Sequence, residues 1–219
     1  MGVFQACREA VQRAKQLGPI SNNRVADLHA HGLASAVARG AAIGTRGIDR
    51  ARLEAMSAAL DGFRLASSQQ APLGASVTAN ADSIDRMAVL VQRFGYGNCG
   101  ELSAVAFHYL RRQDIPGKVA LVNWVSGNHM FVVAGMSPLC NGGSWDFDPY
   151  SPPAAWGAAA VWCDPWAQKC FDCKRAPWSM YAREILKKAS GIDTDLGRRG
   201  TRLAIVALAR SGHWQRGDA

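Results

Sequence analysis

The stretch Gly95-Tyr96-Gly97-Asn98-Cys99-Gly100-Glu101 decides how the rest of the chain is read. It delivers a thiol to the start of a segment in which Leu102, Val105, Ala106, Tyr109 and Leu110 repeat at i, i+3, i+4, i+7 and i+8, the spacing of an amphipathic helix running to about Arg112. The flanking glycines let the backbone take the tight conformations that such an entry needs. A helix N-terminus stabilises negative charge through its unpaired N–H groups and its dipole, which favours an anionic sulfur. The same N–H groups are suited to receive a developing oxyanion. Cys99 shares a helical face with Leu102 and Ala106, so its sulfur is expected to point at a sheet rather than at water.

That sheet is expected downstream. Ile115-Pro116-Gly117 stops the helix, and two segments rich in β-formers, 119–125 and 130–134, flank the hairpin signal Ser126-Gly127-Asn128. His129 stands where the second strand begins. Residues 136–157 read as one long loop, and 158–163 as a third strand stopped by Asp164-Pro165. A helix is expected over 176–188, and a strand or helix over 202–208. All seven tryptophans lie from Trp124 onward, which puts the aromatic core or cleft in the second half.

Upstream the chain reads as helical. Phe4, Cys7, Val11 and Ala14 form one helical face ended by Gly18-Pro19, 24–42 is alanine-rich, and Asp49 caps a helix bearing Leu53, Met56, Leu60 and Phe63. After a loop over 67–79, Ile84, Met87, Ala88, Val91 and Phe94 mark another helix, ending at Gly95.

A thiol of ordinary pKa, about 8.5, is mostly protonated at neutral pH and needs a base to attack an amide quickly. His129 is the candidate base. An imidazole in that role needs its second nitrogen held, and Asp164 at a strand end is suited to hold it. Asp146 and Asp148 are rival acids; Asp164 is preferred because the segment before it is the better strand. Cys99 and His129 are both expected at an exposed cleft edge, with the 136–157 loop and its Trp145 and Trp156 walling off a groove between the histidine and aspartate strands.

Taken together, Gly97-Asn98-Cys99-Gly100-Glu101, then His129-Met130-Phe131-Val132-Val133, then Val161-Trp162-Cys163-Asp164-Pro165-Trp166 resemble the papain-like and transglutaminase-like superfamily, in particular the compact catalytic domains of bacterial effectors and toxins. The resemblance spans roughly residues 92–167. It implies an α+β, papain-like fold in a single domain, 1–219, with a helical subregion (1–95) and a catalytic helix plus small antiparallel sheet (96–219). It implies Cys99 as nucleophile, His129 as base and Asp164 as orienting acid, with Gln92 and Asn98 as oxyanion-hole residues and no cofactor or metal. Gly100 replaces the aromatic residue that follows the nucleophile in many members. The implied activity is hydrolysis of protein amides, foremost as a glutamine deamidase acting on a host protein, with a cysteine protease or transglutaminase as alternatives. From a different class comes a papain-like scaffold that binds without chemistry.

Bulk properties bound these readings. A composition 48% hydrophobic and 19% charged belongs to a folded globular chain, and the net charge of +8 favours a protein substrate with an acidic surface. The basic residues are dispersed and no nucleic-acid motif accompanies them, so no nucleic-acid partner is expected. No apolar run reaches membrane-span length and the first residues are too polar for a classical signal peptide, so a soluble protein is expected; the resemblance adds delivery into a host cell by a specialised secretion system. The cysteines at 7, 99, 140, 163, 170 and 173 are expected as reduced thiols. Cys140, Cys163, Cys170 and Cys173 could in principle complete a four-thiolate zinc site, although their spacings are irregular and only one Cys-x-x-Cys is present, and Asp27-Leu28-His29-Ala30-His31 lacks the further ligands that a metal-binding His-x-His needs. His108 and His213 have no partner legible in sequence.

Overall fold

The computed structural model describes residues 1–17, 80–94, 97–124, 129–146, 148, 151–174, 180–181 and 202–212. The expected helices over 24–42 and from Asp49, the 67–79 loop, the 126–128 turn, most of the 176–188 helix, the His29–His31 pair and His213 lie outside the described residues.

Three helices and one six-stranded antiparallel sheet make up the described fold, which is α+β. Helix α1 (Val3–Gln16) buries Val3, Ala6, Cys7, Ala10, Val11 and Ala14 on one stripe. Helix α2 (Asn80–Phe94) buries Ala81, Ile84, Ala88 and Val91, and α3 (Cys99–Leu110) is buried along most of its length. The strands are β1 (Lys118–Trp124), β2 (His129–Met136), β3 (Ser144–Asp146), β4 (Val161–Asp164), β5 (Lys169–Asp172) and β6 (Arg202–Arg210), ordered β3-β6-β1-β2-β4-β5. The helices lie side by side against this order: α2 touches β6, α3 touches β1 and β2, and α1 touches β4 and β5.

Two expectations change. The 136–157 segment is not one loop: it contains β3, which pairs with β6 at the far edge of the sheet, and a 3-10 turn at Ala154–Trp156. It cannot wall off a groove between the histidine and aspartate strands, because β2 and β4 are adjacent and hydrogen-bonded, with Val132 opposite Cys163 and Ala134 opposite Val161. The second is β5, which pairs with β4 in register and escaped the sequence reading because Lys169-Cys170-Phe171-Asp172 holds a single strong β-former, Phe171.

The tryptophans do build the core. Trp124, Trp156, Trp162 and Trp166 are fully buried, and Phe131 stacks on Trp162 with ring centroids 3.6 Å apart. Among the described residues no helix is long and apolar enough to cross a membrane.

Candidate active site

The site assembles where α3 begins, β2 begins and β4 ends. Asn98 takes an extended conformation as the N-cap of α3, and its N–H donates to Glu101 Oε2 at 2.9 Å in a capping box that fixes the first turn. Gly97 is needed just before it, since a Cβ there would lie 2.6 Å from Glu101 Cβ. One turn along, Ser103 Oγ donates to the Met130 carbonyl at 2.9 Å, tying the helix to β2 one residue past His129. Gly100 lets the helix approach, because a Cβ there would meet Met130 Sδ at 3.2 Å. Cys99 is thus held at the helix start, 8% exposed.

His129 and Asp164 are brought together by the pairing of β2 with β4. With Val132 opposite Cys163, the register carries Asp164 opposite Phe131, two residues from His129 on the same side of β2, so the two form a diagonal pair within side-chain reach. His129 Nε2 lies 2.7 Å from Asp164 Oδ2, and both side chains are buried. The other carboxylate oxygen, Oδ1, accepts the Ala167 N–H at 2.8 Å across the turn opened by Pro165, so the acid cannot rotate away. Trp166 meets the imidazole edge-on at 5.4 Å and Phe131 stacks at 6.3 Å, fixing the ring plane.

The electrostatics follow from this geometry. Burial works against a charged imidazole, but the Asp164 carboxylate, through charge and hydrogen bond, and then the Cys99 sulfur outweigh it and push His129 from 6.5 up to about 10. With Nε2 committed to Asp164, the buried Nδ1 is left for proton transfer, and it has no nitrogen or oxygen partner. An imidazole held in this way, acted on by a thiol at a helix N-terminus, has the parts needed to activate a sulfur nucleophile.

Other sequence expectations fare differently. Cys99 and His129 are not at an exposed cleft edge, His129 being fully buried. Gln92 is not brought to Cys99: it is exposed on α2, turned about 100° from buried Val91 by helix geometry, and lines a cavity with Arg13, His108 and Arg112 toward the other end of α3. Asn98 is the helix cap. Asp146 sits on exposed β3 at the opposite edge of the sheet, and exposed Asp148 accepts the Ser151 hydroxyl at 2.6 Å, so neither rival acid meets His129. His108 does have a partner, with Nδ1 2.9 Å from Asp85 Oδ1. Cys163 sits opposite Cys170 and donates to the Cys7 carbonyl at 3.6 Å, while the Cys140 carbonyl accepts from Lys118; among the described residues no three potential ligands are placed to hold a metal ion.

Sequence reasoning missed Ser103, Phe131 and Trp166. Two of them carried a signal: Ser103 is four residues, about one turn, after Cys99, and Phe131 follows His129 by two along a strand. Compared with family models, curated proteins and solved structures, the chain finds no match.

Proposed function

We propose that this protein is a papain-like, cysteine-dependent hydrolase of protein amides, and specifically a glutamine deamidase delivered to act on a host protein. One observation carries the reading: a buried imidazole, held by Asp164 at 2.7 Å, is also acted on by the Cys99 sulfur. In the reaction, the Cys99 proton has already passed to His129 Nδ1, which Asp164 keeps protonated, and Sγ attacks the amide carbon as the anion. First-turn N–H groups of α3, which have no carbonyl to bond within the helix, stabilise the oxyanion. The imidazolium then protonates the departing ammonia, leaving a thioester, which water hydrolyses with His129 again accepting a proton.

Deamidation is favoured over proteolysis by burial. With Cys99 8% exposed and His129 and Asp164 covered, access suits one side-chain amide better than an extended chain laid across a groove. The same burial supports a second reading, a binding scaffold of this fold without turnover. The test is intact and peptide mass analysis of host-cell proteins incubated with the wild type or Cys99→Ala. A gain of about one dalton at a glutamine, dependent on Cys99, is expected, since NH₂ is replaced by OH. New chain termini would mean a protease, a lysine isopeptide a transglutaminase, and no Cys99-dependent change the scaffold.

A further inference from the structure

Toward the end of α3 remote from Cys99, beginning about 9 Å along the helix axis at Val105, α1, α2 and α3 surround a cavity of about 440 Å³. That volume falls in the range of small-molecule sites. Leu17 and Val105 supply its apolar floor, half-buried His108, Tyr109 and Arg112 its walls, and exposed Arg13, Gln16 and Gln92 its rim. Two guanidiniums and three side-chain amides, counting Gln113, whose amide also donates to the Tyr109 carbonyl at 3.2 Å, line it, and among the described residues no carboxylate does.

The nearby acids lie outside the lining and already have partners. Glu9 accepts the Tyr109 hydroxyl at 2.8 Å and the Gln5 amide at 2.9 Å, and Asp85 lies 2.9 Å from His108 and 3.0 Å from Arg111. Nor are the arginines needed to close the helix end, because the carbonyls of Phe107, Tyr109, Leu110 and Arg111 accept backbone N–H groups of Arg111, Arg112, Gln113 and Gly212. Arg13 is held in place over the Tyr109 ring, 4.7 Å from its centroid. Arg112 carries its charge against burial, with Asp85 as the nearby counter-charge and like-charged Arg111 beside it.

We infer that this cavity binds a small phosphorylated metabolite, with Arg13 and Arg112 on the phosphate oxygens and the glutamine amides around them. A phosphate dianion offers three oxygens to a lining rich in donors, more than a carboxylate can use, and guanidinium forks match its geometry. The site uses none of Cys99, His129 or Asp164, so it stands whether or not the chain is an amide hydrolase.

Calorimetric titration of the full chain with pyrophosphate in about 0.15 M salt tests it, under conditions where diffuse surface attraction is screened. Saturable one-to-one binding is expected, weakened roughly tenfold or more by Arg112→Gln and by Arg13→Gln. Arg13 is exposed, so its variant keeps the fold, and Gln92→Glu, also at an exposed position, should abolish binding by placing a carboxylate on the rim. Arg8→Gln, an exposed change on α1 away from the cavity, loses the same charge and should leave binding unaltered. Absence of saturable binding, or an equal loss in Arg8→Gln, would overturn the inference.

Discussion

In the proposed reaction, His129 and Asp164 set both the chemistry and the cost of probing it. Removing one member of a buried ion pair leaves the other uncompensated, so Asp164→Ala and His129→Ala should each lose about 3–5 kcal/mol of stability along with turnover. Asp164→Asn keeps the volume and one hydrogen bond; it should fold, yet lower turnover on the order of 10³–10⁴-fold, which single-turnover assays beside thermal melts would separate. Cys99→Ser should abolish turnover with little change in melting temperature. A pH dependence follows from the imidazole. Because His129 is raised from 6.5 to about 10, its contribution to stability is fully present below about pH 6.5 and is lost as pH rises through about 10. Denaturant melts between pH 6 and 10 should show this decline, and Asp164→Asn should flatten it. At this scale the placement of the three residues proposed as catalytic was legible in sequence: a thiol after glycines at a helix start, a histidine opening a strand, an aspartate before proline. Their burial was not, because it depends on partners such as Trp166 and Phe131 that pack on the ring from across strands.

The element that matters most is the first turn of α3. Glu101 is buried and closes the capping box on Asn98, so Glu101→Ala should lose about 1 kcal/mol and lower the melting temperature by about 2–4 °C. Gly97→Ala should do at least as much harm, since its Cβ would collide with Glu101 Cβ; if turnover and melting temperature were both unchanged, the helix start would not be what positions the thiol. Helices with full apolar periodicity were readable, α1 and α3 to within one or two residues. So were β1 and β2, whose β-branched and aromatic runs are long enough to declare themselves, and in part β4, expected over 158–163 and found at Val161–Asp164. The segment after Met136 was misread because its glycines and prolines mask β3, a three-residue strand whose pairing with β6 is decided by a partner about 60 residues away in sequence.

At the scale of the molecule, the sheet order β3-β6-β1-β2-β4-β5 lies beyond local pattern, because β6, the last strand, inserts between β3 and β1. What the bulk sequence does carry is charge. With a net charge of +8, turnover on an acidic protein should fall as salt is raised through about 0.15 M, where the screening length is roughly 8 Å, while hydrolysis of a small neutral amide should not. The six free cysteines, spread through the fold, supply an internal comparison for the central claim. Cys170 is half-buried and the other five are buried, Cys99 among them at 8% exposed, so accessibility alone puts Cys170 first in any reaction with solvent reagents. The most direct measurement is brief iodoacetamide labelling of the native protein at pH 6.5, read peptide by peptide in a mass spectrometer. If His129 and the helix N-terminus activate the sulfur, Cys99 is modified ahead of Cys170 in the wild type and falls behind it in His129→Gln; Cys170 leading in both proteins, with Cys99 as slow as the other buried thiols, would contradict the account.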